Sequence, residues 1–164
     1  MRAFCMMVVT IAAVACTKPR AATTTTTTPA DVIAPKSKVK LAVLAVESDK
    51  FPKVAKAATE SLAKAQVTGI DETEISKVSV EVVQLSIECV EPTAACYQAV
   101  GRSLAANQLL FAQIVPGKKR ALRVTITLFD VEAGSPRTAA DHTFASEREA
   151  AEGLDGLVAK ATQP

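Results

Sequence analysis

Cys89-Val-Glu-Pro-Thr-Ala-Ala-Cys96-Tyr-Gln-Ala-Val100-Gly-Arg-Ser-Leu-Ala-Ala-Asn107-Gln-Leu-Leu-Phe-Ala-Gln-Ile-Val115 is the stretch on which the fold turns. It opens with two cysteines separated by a turn, with Thr93 placed to cap a following helix. Cys96, Val100 and Leu104, with Tyr97 beside them, then recur at helical spacing, and Gly101 leaves room for a close neighbour. Gln108 to Val115 is apolar on both faces, the pattern of a central strand. A cysteine-bounded turn therefore leads into a helix, and the helix delivers a buried strand.

The segments that follow extend this strand into a meander. Pro116-Gly-Lys-Lys-Arg120 is a polar turn, and beyond it Leu122, Val124, Ile126 and Leu128 alternate with Arg123, Thr125 and Thr127. Asp130 to Pro136 makes a second turn, and Arg137 to Ala145 a third strand. Ser146 and Glu149 form a capping box that opens a final helix with Ala150, Leu154, Leu157, Val158 and Ala161 on its inner face, weakened by Gly153 and Gly156.

Upstream, Val39 to Val46 is a short apolar run without a helical stripe and reads as a buried strand. Ser48 to Pro52 supplies cap candidates and a first-turn proline. Val54, Ala58, Leu62 and Ala65 then predict an amphipathic helix over 52–66. Residues 67–88 carry both periodicities. The favoured division is a strand over 72–78 and a short helix over 80–88, capped by Ser79. The expected fold is α/β: a mixed sheet of about five strands with helices packed on it, ending in an antiparallel meander and a C-terminal helix.

With 164 residues, 49% apolar and 22% charged, the chain has enough apolar side chains for one packed domain, assigned to 38–164. Without Trp and with one Tyr, the core must be aliphatic. The formal charge is +2, or +1 once Arg2 is removed, too small to point to nucleic acid or an anionic membrane surface as a partner.

Residues 1–15 read as a signal peptide: a basic start at Arg2, then an apolar run from Cys5 to Val14. Ala13-Val14-Ala15-Cys16 resembles the bacterial lipobox, which would make Cys16 the lipidated residue and attach the chain stably to a membrane. The alternatives are an Ala-x-Ala cut releasing a soluble periplasmic or secreted protein, and an uncleaved anchor. Residues 16–37, with six threonines from Thr23 to Thr28 and prolines on either side, read as a disordered tether, either a plain spacer or a carrier of O-linked sugar.

In an exported chain Cys89 and Cys96 read first as a disulfide. The rival is a thiol redox pair, although the spacing is six residues and no cation flanks Cys96. A metal site would have only these two cysteines and His142 as ligands, which leaves zinc short. His142 falls on the Thr138, Ala140 and Phe144 face and reads as packed or edge. Asp130 and Asp141 read as turn and edge residues in preference to a catalytic pair. Lys118, Lys119 and Arg120 form a basic hairpin tip, either solvated or a docking point for an acidic partner or lipid headgroup. No phosphate loop, Ser-His-Asp arrangement or zinc spacing stands in the sequence, and no cofactor is implied.

The order Cys89, short spacer, Cys96, Ala-rich helix with Gly101 and Leu104, Ala105-Ala106-Asn107 before an apolar strand, then Leu128-Phe-Asp130-Val131 with Gly134 closing a hairpin, resembles a known family. It is similar to the α/β domain shared by the TolB amino-terminal region and CsgG-like envelope proteins, in the lipoprotein or periplasmic versions of myxobacteria, over residues 38–161. Asn107 stands where that family carries Asp. The resemblance implies a non-catalytic, protein-binding or assembly module on the periplasmic face of the outer membrane. Its partner would be an unknown envelope protein or a second copy joined at the sheet edge, and no catalytic residues carry over. No segment has the length and alternation of membrane-spanning hairpins, so the chain is not a pore alone. The rival class is an envelope thiol-disulfide oxidoreductase, or another enzyme, using Cys89 and Cys96.

Overall fold

The computed structural model describes residues 38–89 and 91–163. Residues 1–37, which hold the expected signal peptide, Cys16 and the expected tether, lie outside the described residues. The order of elements is β1 (Lys40–Ala45), α1 (Pro52–Ala63), β2 (Glu72–Ser79), α2 (Val80–Ser86), α3 (Ala94–Ser103), β3 (Gln108–Pro116), β4 (Leu122–Asp130), β5 (Ser135–Phe144) and α4 (Glu147–Thr162). One five-stranded sheet runs β2-β1-β3-β4-β5. β1 is parallel to both neighbours, and β3, β4 and β5 form the antiparallel meander. The mixed sheet, packed helices and C-terminal helix are those expected from the sequence.

β1 is short, yet it is hydrogen-bonded on both sides, and side chains of its neighbours extend that pairing beyond its first residue. The Asp71 carboxylate accepts the Val39 N–H at 2.8 Å while the Asp71 N–H donates back to the Val39 carbonyl at 2.9 Å. Asn107 repeats the arrangement on the other side. Its Oδ1 accepts the Lys40 N–H at 2.8 Å and its N–H donates to the Lys40 carbonyl at 2.8 Å. Asn107 and Asp71 thus supply the same kind of side-chain acceptor on the two sides of β1. The same residue's carbonyl accepts the Val131 N–H, tying the end of β4 to the start of β3.

The two faces of the sheet hold separate cores. Leu41, Val43, Leu110, Ala112 and the even residues Leu122 to Leu128 pack with Val54, Ala58 and Leu62 of α1 and with Ala150, Leu154, Leu157 and Ala161 of α4. Ala42, Leu44, Leu109, Phe111 and Phe129 pack with Val80 and Val83 of α2 and Val100 of α3. The period-2 alternation of β1 and β3 thus distributes apolar side chains to two helical layers. On the second face Tyr97 lies 4.8 Å from Phe111 and 5.5 Å from Phe129 between ring centroids, a small aromatic cluster in an otherwise aliphatic core.

The local signals mark most boundaries. Ser79 accepts the Val82 N–H, Thr93 the Cys96 N–H and Ser146 the Glu149 N–H, each as an N-cap. Glu149 reaches back to the N–H of Ala145, one residue before the cap, at 2.9 Å. α1 differs from expectation. Its N-cap is Phe51, with no side-chain bond, and Ser48 Oγ accepts the Phe51 N–H instead. The helices also end earlier than periodicity suggests, α1 at Ala63 and α2 at Ser86. α2 and α3 stop in turns whose left-handed residues are Glu88 and Ala105, closed by Cys89 N–H to Gln84 O and Ala106 N–H to Gly101 O.

Gly101 faces the chain just beyond β4. A Cβ there would stand 2.8 Å from Val131 Cγ1, inside van der Waals contact. Gly156, in the middle of α4, has no atom within 4 Å of such a Cβ. Gly101→Ala is therefore expected to lower stability by about 1–3 kcal/mol through overpacking. Gly156→Ala should raise it by about 0.5–1 kcal/mol through helix propensity. Urea denaturation of both variants checks the pair, and equal effects of one sign would contradict the packing described.

Candidate docking site

The corner between α2 and α3 holds Cys89 and Cys96, two of the four cysteines of the sequence. The turn ending α2 places Cys89 one residue past its left-handed position, and Cys96 sits in the first turn of α3. Their sulfurs lie at disulfide distance, 2.01 Å, with Cα atoms 5.7 Å apart. Cys96 is 1% exposed, and Gln84 Nε2 stands 3.2 Å from its sulfur, joining α2 to the same corner. The arrangement staples the entry of α3, whose next turns present Tyr97 and Val100 to the sheet.

The basic hairpin tip stands at the far end of β3. Gly117 N–H donates to Ala121 O at 2.8 Å, Ala121 N–H to Lys118 O at 3.1 Å, and Lys119 adopts φ 60°. Lys119 and Arg120 border a cleft of about 660 Å³, which Lys118 does not line. The other walls come from Lys50 and Phe51 after β1, Pro116 and Gly117 at the end of β3, and Ser146, Glu147 and Arg148 at the start of α4. Four basic side chains thus meet one carboxylate. Arg148 pairs with Glu152 at 3.0 Å along α4, whereas Lys50, Lys119 and Arg120 have no ion-pair partner among the described residues. Sequence reasoning found the hairpin half of this cleft and missed Lys50 and Arg148, which reach it from elements distant in the chain.

The remaining candidates are dispersed. His142 shares the Thr138, Ala140 and Phe144 face as expected, exposed and edge-on to Phe144 at 4.6 Å. Asp130 caps its turn by accepting the Ala133 N–H at 2.8 Å. Asp141 pairs with Arg123 at 2.9 Å on the neighbouring strand. Asp130 is opposite Ser135 and Asp141 is opposite Thr125, so the ladder keeps the two carboxylates well apart. Among the described residues no three His, Cys, Asp or Glu side chains could hold a metal ion together. No helix among them is long and apolar enough to cross a membrane. A second concavity of about 200 Å³, lined by Tyr97, Phe111, Phe129, Gln113, Thr127 and Pro136, opens beside α3. Burial raises the pKa of the Tyr97 hydroxyl, against the lowering effect of its hydrogen bond with Gln113.

The two sheet edges differ. β2 is in step with β1 from Glu72 to Ile75, then bulges before Ser79 pairs with Ala45. A bulge of this kind bends an edge away from a further strand. β5 keeps unbroken register with β4 from Thr138 to Phe144 and has no strand on its other side among the described residues. An antiparallel strand with one partner directs alternate N–H and C=O groups outward.

A bond between Cys89 and Cys96 closes a ring spanning seven positions and by loop-closure entropy adds about 2.5 kcal/mol. Cys89→Ala/Cys96→Ala is expected to lose stability of that order in urea, and mass spectrometry of alkylated native protein should find neither thiol free without reductant. Two free thiols would contradict the staple. No protein-family model matches this chain, and no curated protein matches it, so its functional reading rests on its own residues.

Proposed function

We propose that the chain is a non-catalytic, lipid-anchored protein of the bacterial envelope. In this reading Cys16 holds it on the periplasmic face of the outer membrane, and its α/β domain, of TolB amino-terminal/CsgG-like type, serves as a protein-binding or assembly module. The observation that carries the proposal is the edge of β5, uncovered among the described residues, with seven residues from Thr138 to Phe144 in unbroken register against β4. Extended partner segments bind such edges through main-chain hydrogen bonds, with alternate side chains supplying specificity. Along Thr138 to Phe144, Asp141 is paired with Arg123 and its same-face neighbours Ala139 and Thr143 are small, while the exposed His142 lies on the other face. The oxidoreductase reading needs a reactive sulfur, and the near-complete burial of Cys96 weighs against it.

A photo-crosslinking residue at Ala139 or Thr143, both exposed, tests the edge in intact cells. We expect one discrete adduct, with an envelope protein or a second copy, from both positions and none from Lys56 on the exposed side of α1. Adducts only with lipid and chaperones, or the same adducts from Lys56, would overturn the reading. For the anchor, Cys16→Ala is expected to lose both palmitate labelling and membrane retention. Persistence of both would remove lipidation from the account.

A further inference from the structure

The cleft beside the basic hairpin occupies a particular place in the topology. From β1 the chain passes through α1 on one face to β2 on one side, then through α2 and α3 on the other face to β3 on β1's opposite side. Lys50 and Phe51 follow β1, and Pro116 and Gly117 stand at the end of β3, so the 660 Å³ cleft lies beyond the carboxyl ends of these two parallel strands.

Its lining matches one chemistry. Lys50, Lys119 and Arg120 converge on the cleft without ion-pair partners among the described residues, and Arg148 closes it from α4. Glu147 is the one carboxylate in the lining, and Glu152 pairs with Arg148 at 3.0 Å from the next turn of α4. The described domain as a whole is not basic, with 15 Lys and Arg against 16 Asp and Glu over residues 38–163, so the cationic lining is a local feature. The first turn of α1, which starts at the cleft wall, holds no acidic residue, whereas that of α4 holds Glu147 and Glu149. Phe51 and Pro116 add apolar wall, and the volume falls within the range of about 300–1,000 Å³ typical of small-ligand sites.

We infer that this cleft binds a phosphate ester, with Arg120 and Arg148 hydrogen-bonding the phosphoryl oxygens, Lys50 and Lys119 supplying charge, and Phe51 and Pro116 contacting the ester's carbon body. Guanidinium forks pair with phosphate oxygens bidentately, and lysine binds phosphate as a point charge. The ester is either a small soluble phosphate or the headgroup of an anionic phospholipid. The inference concerns a different surface from the β5 edge and does not rest on it.

The test uses the full chain carrying Cys16→Ser, so that no acyl group contributes, followed by ¹⁵N–¹H NMR. Glycerol 3-phosphate should shift the amides of Lys50, Gly117, Lys119, Arg120, Glu147 and Arg148 along one saturable curve, while chloride at matched ionic strength leaves them in place. Arg120→Gln, with unchanged chemical-shift dispersion elsewhere, should weaken that binding about tenfold. Lys50→Gln gives a second reading in a different loop, and Lys56→Gln on the far face of α1 should have no effect. Vesicles of one part phosphatidylglycerol to three parts phosphatidylcholine separate the sources. Sedimentation with them, lost in Arg120→Gln and absent with phosphatidylcholine alone, assigns the headgroup. Saturable shifts without sedimentation assign a soluble ester. Absence of both, or equal weakening by Lys56→Gln, would overturn the inference.

Discussion

The structure depends on the double pairing of β1. Six residues, Lys40 to Ala45, carry four nearly fully buried apolar side chains and are bonded to a parallel strand on each side. Parallel pairing costs loop-closure entropy before it is rewarded, because each crossover must form first. Asp71 and Asn107 answer that constraint at the same end of the sheet. Each gives β1 a side-chain acceptor and a returning N–H, so both neighbours are set in register at their first residues. From this fixed origin β3 extends beyond its pairing with β1, and β4 pairs with it along its whole length.

Placing helices on both faces follows from the same strand. Leu41 and Val43 face one layer, Ala42 and Leu44 the other, so neither helical pair is dispensable to β1. The Cys89–Cys96 corner belongs to the second layer, where it sets the start of α3 and brings Tyr97 onto Phe111 and Phe129. The layer is incomplete. α2 and α3 cover the β1 side of the sheet, while the ends of β3, β4 and β5 show Val115, Arg123 and Thr143 to solvent. Exposed sheet and an unpaired edge thus occur together on the meander side.

Much of this was legible in the residues because periodicity and caps agreed. The alternation of Leu122 to Leu128, the two-faced apolar run of Gln108 to Val115, and the caps Ser79, Thr93 and Ser146 each report a local constraint that the structure keeps. The division of residues 67–88 into strand and helix also held, although β2 is mostly exposed and its burial pattern alone has no strand alternation. Boundaries failed where the chemistry carries no signal. Phe51 caps α1 without a polar side chain, and Glu88 and Ala105 take left-handed turns that glycine would have announced. The cleft was half legible, since Lys118 to Arg120 are contiguous while Lys50 and Arg148 join the last two of them only through the packing of the β1–α1 loop and α4.

An open β5 edge on a core anchored at β1 is the physical claim from which the binding role follows. Hydrogen exchange of the isolated chain at low concentration measures it directly, because protection reports which amides are bonded and how far the structure must open to expose them. The account predicts that the amides of Leu41 to Ala45 exchange only with global unfolding. Along Thr138 to Phe144 it predicts alternation, with those directed to β4 protected and those directed outward exchanging fast. Uniform protection of β5 equal to that of β1 would show the edge to be covered and would contradict it.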